Sequence, residues 1–531
     1  MKYPILIIFA LIPYIFLLVN IDAQDLICDD YSMFYLYREH SLLDTAGKII
    51  TGINNAHIRM TFIPHLFFIG FYRYSNGGPF ATNLFFLILL GLIISTIVLL
   101  LLIINSRKTK RGYEFRLANL SDKENIFLFA IASYLLASQY IWSLLDFKLA
   151  NYLTFGLFTI ILLLLISYKN QLRTRIGIIS YFLFYVVTVH STDVNPLILA
   201  IVIPVIFLKK ISFRTRCLLS TLMILYPPSY YFALKAVLNR DSILFNDVSV
   251  GTLFSQFRFW VGTFIEFNQT FFLTLGAILI VATTLTVAKF IRSTSLKNKH
   301  WINVLTKVHK YLFDQEKNYT IGVFFSIFPL LLLIITNFAY GGWINPHQFG
   351  FAYLLFILSF VALTKSLLDN LPNHKRLIVG LVSLSLVFIV YQNVGDLVEY
   401  WKTRRTEVSV ITSIENHVKA KKYSYGDKNY IVIDSWPNHK FPTYTAFYNV
   451  SWASKDYAQF YLDSDSQTFQ ILSPHAVSHW GLDLAELKDS DTENSSLIHV
   501  RYNNQTETAE ITDYNCSLMC GEKAIELLET K

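Results

Sequence analysis

The fold class is decided by residues 83–105, NLFFLILLGLIISTIVLLLLIIN, and by the basic run SRKTKR that follows at 106–111. A helix needs about 20 predominantly apolar residues to cross the hydrocarbon core of a bilayer. Lys and Arg collect in the short loops on the cytoplasmic side. This stretch therefore predicts a membrane-spanning helix that ends at the cytoplasm.

The same alternation of apolar segments and basic loops runs along most of the chain, which is 53% hydrophobic and 15% charged. The apolar segments lie near 4–20, 83–105, 125–142, 151–168, 176–190, 196–208, 217–237, 270–291, 320–340, 349–365 and 377–395. The basic loops lie at 107–116, 169–175, 209–216, 292–317 and 373–376. The pattern predicts a mainly α, polytopic bundle of about 11 transmembrane helices.

The basic loops also predict the two sides of the membrane. With a cytoplasmic N-terminus and an odd number of helices, the C-terminal tail is extracytoplasmic. So are the loops 21–82, 143–150, 190–196, 239–269 and 341–348. A cleaved signal peptide over residues 4–20, cut near Ala23, is the alternative for the first segment.

Charge is distributed unevenly around a net value of +8. Residues 396–531 hold 13 Lys+Arg against 20 Asp+Glu, so residues 1–395 carry the excess of positive charge. Because those positive charges collect in alternate loops, they indicate topology and not a nucleic-acid surface.

The sequence pattern predicts a transmembrane domain over residues 1–395, followed by a small α/β domain over residues 396–531. Residues 397–420 have helical periodicity, 430–434 and 495–500 are strand-like, and 522–529 is typical of a terminal helix. Cys516 and Cys520 are close enough in sequence for a short disulfide in an oxidising compartment.

Asp29 and Asp30 stand adjacent in loop 21–82, the first large outer loop. A carboxylate at membrane depth is costly unless it meets water, a cation or a substrate. One carboxylate could take the proton of an acceptor hydroxyl that attacks a sugar. The alternative is that the pair caps a loop helix and is solvated.

Several further side chains of the outer loops are candidates for contacts to substrate. Arginine binds phosphate bidentately, so a leaving phosphate could be held by Arg59, Arg240 or Arg258, with His347 as a further phosphate contact. Asp146 and Asp193 could orient an acceptor or be solvated loop carboxylates. His190 with Asp193 makes too few ligands for a metal site, so a need for a divalent metal ion stays open.

In layout, the chain resembles the GT-C superfamily of membrane glycosyltransferases, including protein O-mannosyltransferases and GtrII-like proteins. The Asp29-Asp30 pair matches the acidic motif of that family's first outer loop. Residues 138–142 followed by Tyr152 resemble a Trp…Tyr pattern of GtrII-like proteins, and 447–452 and 457–461 resemble their C-terminal region. His347 stands after Pro346, where the family often has Arg.

The resemblance implies an enzyme that moves a sugar from a polyprenyl-phosphate donor to a glycan, lipid or protein hydroxyl on the outer face. We expect a multi-pass protein of a prokaryotic cytoplasmic membrane. The alternatives are an O-antigen-type polymerase or ligase, and a transporter or flippase of lipid-linked sugars. A transporter would show paired broken helices and internal repeats, and the sequence shows neither.

Overall fold

The computed structural model describes most of the membrane segments and the framework of the tail. The described residues are 4–23, 41, 43–44, 47, 62–74, 79–109, 112–115, 122–146, 148, 151–168, 174–192, 195–207, 211–238, 250–293, 307–308, 311–339, 344, 346–421, 428–437, 458, 462, 468–473, 495–503, 505–514, 516 and 519–529.

The chain is mainly helical. The helices are α1 Pro4–Val19, α2 Ile63–Tyr74, α3 Pro79–Ile104, α4 Lys123–Leu136, α5 Gln139–Asp146, α6 Asn151–Tyr168, α7 Arg175–Val189, α8 Asn195–Phe207, α9 Phe213–Leu238, α10 Val250–Phe267, α11 Gln269–Ser293, α12 Lys317–Ala339, α13 Pro346–Asn370, α14 Lys375–Ala420 and α15 Cys520–Glu529. The strands are β1 Arg107–Thr109, β2 Gly112–Glu114, β3 Lys428–Ile433, β4 Thr468–Leu472, β5 Ser495–Asn503 and β6 Thr508–Tyr514.

Among the described residues, six helices are long and apolar enough to cross a membrane: α3, α6, α11, α12, α13 and α14. The number is seven if α4 and α5, which are bent by 72° at a short break, form one broken span. The helices α1 and α7 and residues 198–207 of α8 are apolar but shorter. The protein is therefore a multi-pass membrane protein by length and composition, and the finer count of about 11 spans stays a prediction.

The bent pair corrects one predicted element. The sequence predicts a single segment over 125–142, whereas α4 ends at Leu136 and α5 begins at Gln139. Every residue of α5 is buried. This short helix is therefore an internal part of the bundle and not a loop at its surface.

Helix α13 lies at the centre of the bundle, with 94% of its apolar window buried. It packs against α12, α5, α11 and α4. Gly350 allows the closest approach: a Cβ there would lie 2.4 Å from the carbonyl oxygen of Tyr140 in α5. A side chain at this position would push the two helices apart, so glycine sets their distance.

Helix α14 is largely exposed, in contrast to α13, with only 22% of its apolar window buried. Its 46 residues correspond to about 69 Å, more than twice the roughly 30 Å of a hydrocarbon core. The helix continues without a break through residue 396, where the sequence places the start of the tail domain. The bundle and the tail are therefore joined by one continuous helix.

The tail forms a four-stranded mixed sheet with the order β4-β3-β5-β6. Strand β3 is parallel to β4 and β5, and β6 is antiparallel to β5. Alternate residues face opposite sides: Tyr430 and Val432 pack with Ala524 of α15, while Ile431 and Ile433 belong to the main core. The predicted strands 430–434 and 495–500 and the terminal helix are confirmed, whereas β4 and β6 were not predicted.

A disulfide joins Cys516 to Cys520, with the Cα atoms 4.9 Å apart. It lies at the start of α15, whose Cys520 is buried against the sheet. The predicted pairing is therefore confirmed, and the bond fixes the terminal helix to the chain that leaves β6.

Candidate functional site

The helix ends define two poles of the bundle. We call the end that carries Asp146, Tyr152, His190, His347 and Arg404 the outer pole, and the end that carries Ser106, Glu124, Lys317 and Lys365 the inner pole. The names follow the predicted sides of the membrane. Helix α6 connects the poles, since it begins beside Tyr152 and ends at Tyr168, whose ring lies 6.0 Å from the Nζ of Lys317.

Two buried histidines of the outer pole lie near one tyrosine. The Nε2 of His347, at the start of α13, is 3.4 Å from the hydroxyl of Tyr152. The ring of His65, in α2, lies 6.3 Å from the ring of Tyr152. Both histidines are less than 10% exposed. Three separate segments thus contribute titratable or hydroxyl groups to one place.

His190 extends this group along the outer pole. Its Nε2 is 2.7 Å from the hydroxyl of Tyr226, and its ring packs 4.6 Å from those of Phe62 and Tyr230. Its backbone carbonyl accepts a hydrogen bond from the N–H of Ile63. The start of α2, which lies within the predicted outer loop 21–82, is therefore attached to the outer pole.

A fully buried ion cluster joins the outer pole to the tail. Asp146 accepts hydrogen bonds from the Nε of Arg404 at 3.0 Å and from the hydroxyl of Tyr400 at 3.2 Å. Arg404 also donates to Glu407, and Glu407 accepts from the indole N–H of Trp436 at 2.7 Å. The side chains of Asp146, Arg404 and Glu407 are all 0% exposed.

Lys148 completes the balance of charge in the cluster. Its Nζ donates to the backbone carbonyl of Asp146 at 2.7 Å and lies 3.6 Å from the carboxylate. Two cations and two anions are thus buried together. Burying a charge is tolerated when it is paired and hydrogen-bonded, so the cluster is a self-contained structural joint.

The structure places three of the eight predicted site residues. Asp146 lies inside the ion cluster and not at a solvated loop mouth, and its Oδ2 accepts hydrogen bonds from Arg404 and Tyr400. His347 lies at the same pole, beside Tyr152. Arg258 is exposed on α10. The same helix contacts α12 through the carbonyl of Leu253, which accepts a hydrogen bond from Asn337, and contacts α13 through Phe264, which packs on Phe349.

The other predicted site residues lie outside the described residues, and their roles stay predictions. They are Asp29, Asp30, Arg59, Asp193 and Arg240. Among the described residues, no group of three or more His, Cys, Asp or Glu side chains could hold a metal ion.

Sequence reasoning missed Arg404 and Glu407, although a signal was present. The buried face of α14 includes Leu397, Tyr400, Trp401, Arg404, Glu407 and Ile411, which follow each other at intervals of one to four residues. Two opposite charges within an apolar helical stripe indicate a buried pair when they are three residues apart.

No family model matches the chain, and neither a curated protein nor a solved structure matches it. The geometry of the outer pole is therefore what indicates its chemistry. Imidazole and phenol groups can donate to a phosphate or exchange a proton with a hydroxyl. These groups provide polar contacts at the outer pole in addition to the buried ion cluster.

Proposed function

We propose that the protein is a membrane glycosyltransferase. It moves a sugar from a polyprenyl-phosphate donor to a hydroxyl of a glycan, lipid or protein on the extracytoplasmic face of a prokaryotic cytoplasmic membrane. The resemblance of its layout and of the Asp29-Asp30 motif to the GT-C superfamily supports this function.

One structural observation carries the proposal. Segments that border the predicted outer loops 21–82, 143–150, 190–196 and 341–348 meet at the outer pole through His65, Tyr152, His190 and His347. The basic residues of the other loops alone predict that these loops lie on one side. Buried ionisable side chains in a membrane bundle favour a functional site, because they are costly there.

In the proposed reaction, the acceptor hydroxyl oxygen attacks the anomeric carbon of the donor sugar. Asp29 or Asp30 takes the hydroxyl proton as the new bond forms. The bond between the anomeric carbon and the phosphate oxygen breaks, and the configuration at the carbon inverts. Arg59, Arg240 or Arg258, with His347, stabilises the negative charge on the leaving polyprenyl phosphate.

The main test measures sugar transfer from a polyprenyl-phosphate donor by the purified full-length protein. Asp29→Asn and Asp30→Asn keep the side-chain size but remove the basic oxygen. General-base catalysis contributes about 10²–10⁴-fold, so we expect transfer by at least one variant to fall by that order. Wild-type turnover in both folded variants would refute a catalytic role for the pair.

A second pair of variants tests the outer pole itself. His347→Gln removes the titratable ring beside Tyr152, and we expect a weaker use of the donor. His374→Gln is the matched control, because His374 is exposed at the inner pole beside the start of α14. Equal transfer by the two variants would exclude His347 from the donor site.

The side of the membrane is tested separately. The disulfide between Cys516 and Cys520 supports an oxidising compartment for the tail, since such bonds are rare in the cytosol. A reporter that is active only outside the cytoplasm, fused after Lys531, should therefore be active. Activity of a cytoplasm-only reporter at that position would refute the predicted topology.

A further inference from the structure

The inner pole contains a polar cavity of about 780 Å³. Its lining includes four lysines, four carboxylates and four asparagines, drawn from the ends of α3, α4, α11, α12 and α13. Ligand sites in proteins are typically about 300–1,000 Å³. Unlike the sealed ion cluster of the outer pole, this cavity offers space for a headgroup.

An apolar groove of about 640 Å³ lies between α6, α8, α11 and α12. Side chains such as Val205, Val287, Phe290 and Phe324 line it, and a π-helical turn, Tyr311–Gln315, contributes Tyr311 at one end. Because α11 and α12 are candidate membrane spans, the groove lies at the depth of lipid chains.

The cavity and the groove adjoin each other. The hydroxyl of Tyr311, which lines the groove, donates to the carboxylate of Glu316, which lines the cavity, at 3.4 Å. Lys289 lines the cavity and the next residue, Phe290, lines the groove. A polar and an apolar compartment share one border, as the two parts of an amphipathic molecule require.

A buried hydroxyl at this border indicates the class of lipid. Thr286 lines the groove and is 2% exposed, and its hydroxyl has no hydrogen-bond partner among the described residues. Thr286 precedes Lys289 by about 4.5 Å along the helix axis. A glycerolipid carries ester carbonyls just below its headgroup, and a carbonyl is the kind of acceptor that this hydroxyl lacks among the described residues.

We propose that the inner pole binds a zwitterionic glycerophospholipid such as phosphatidylethanolamine. Its headgroup occupies the polar cavity and one acyl chain occupies the groove. Pockets for anionic lipid headgroups are basic, whereas the part of this lining that the structure describes balances four lysines with four carboxylates. The carboxylates meet the ammonium group of the lipid and the lysines meet its phosphate. This site is at the opposite pole from the proposed sugar transfer and does not depend on it.

The test is native mass spectrometry of the full-length protein in detergent, titrated with phosphatidylethanolamine or phosphatidylglycerol. Val287→Trp fills the groove; Val287 is 49% exposed, so the larger ring can occupy the open groove without displacing core side chains. Val281→Trp is the matched control, because Val281 is 44% exposed on the same helix and does not line the groove.

We expect the wild type and Val281→Trp to retain phosphatidylethanolamine in preference to phosphatidylglycerol. Val287→Trp should bind phosphatidylethanolamine at least about 10-fold more weakly, a change of about 1.4 kcal/mol. Glu316→Gln should reduce the preference between the two lipids without filling the groove. Equal retention of both lipids by all variants indicates only surrounding bulk lipid and would overturn the proposal, as would a preference for phosphatidylglycerol.

Discussion

The two poles of the bundle use the same kinds of charged side chain in opposite ways. At the outer pole, Asp146, Arg404 and Glu407 are 0% exposed and form a sealed cluster. At the inner pole, Lys365 lies 3.1 Å from Glu124 and 2.8 Å from Asp369, and those carboxylates are 32% and 43% exposed. The first set of charges has exchanged water for protein partners, whereas the second keeps water beside it.

This difference shows that an ion pair has no fixed role in a membrane bundle. A sealed cluster holds elements together because separating its partners would leave a charge in a medium of low polarity. A cavity lined by partly exposed carboxylates can exchange the partners of those carboxylates for a ligand at little cost. Burial, and not residue type, therefore separates a structural joint from a candidate binding site.

The largest expected effect is at the sealed cluster. Arg404→Met should lower the free energy of unfolding by about 3–5 kcal/mol, because Asp146 and Glu407 are left buried without their shared cation. Arg405→Met is the matched control: Arg405 is 43% exposed and pairs with Asp22, so its loss should cost about 0–1 kcal/mol. Thermal unfolding in detergent measures the stability of both variants. Equal losses of stability would contradict the difference between the buried and the exposed ion pair.

A smaller effect on the free energy of unfolding is expected where α13 packs against α5. Gly350→Ala places a Cβ 2.4 Å from the carbonyl oxygen of Tyr140, and such overpacking costs about 1–3 kcal/mol. Gly395→Ala in α14 meets no atom within 4 Å. It should stabilise the helix by up to about 1 kcal/mol. If both variants changed the unfolding temperature in the same direction, the close approach of α13 to α5 at Gly350 would be contradicted.

At the inner pole, Lys365→Met should cost only about 1 kcal/mol, because water can solvate Glu124 and Asp369 once the lysine is removed. The comparison with Arg404→Met replaces a cation by methionine at each pole. A loss at Lys365 as large as that at Arg404 would show that the inner pole is sealed as well. Unfolding temperature, measured in the same detergent, decides between these outcomes.

The smallest effect concerns the tail, at the far end of α14. Burial raises the pKa of Asp513, but hydrogen bonds from Lys421 and His417 outweigh it and hold the pKa below its ordinary value. A carboxylate with a lowered pKa stabilises the fold above its ordinary pKa of about 4. That stabilisation is lost as the pH falls through the lower pKa of the folded state.

Asp513→Asn should therefore reduce the loss of stability of the tail as the pH falls below about 4. Glu510→Gln, at an exposed position of the same strand, is the control. Far-ultraviolet circular dichroism during thermal unfolding at several pH values measures the difference. If the stability of Asp513→Asn depends on pH as the wild type does, Asp513 does not contribute to the loss of stability in acid.

The sequence alone predicted the membrane class, most helix positions, the strands 430–434 and 495–500, and the disulfide partners. These features depend on local properties: the length of an apolar run, its period, and the spacing of two cysteines. The alternation of basic loops also predicted a common side for the segments that meet at the outer pole. The site chemistry of Asp29 and Asp30 stays a prediction from the same local pattern.

Only the tertiary structure decided which charges are partners. Asp146 and Arg404 are 258 residues apart, and nothing in either segment specifies the other. Apolar helices α13 and α14 look alike in hydropathy, yet one is central and the other is largely exposed. An apolar helix is kept from water equally well by lipid and by protein neighbours, so hydropathy does not distinguish the two. Packing therefore decides which helices are buried. Burial in turn decides whether a charged side chain is a structural partner or a candidate for binding.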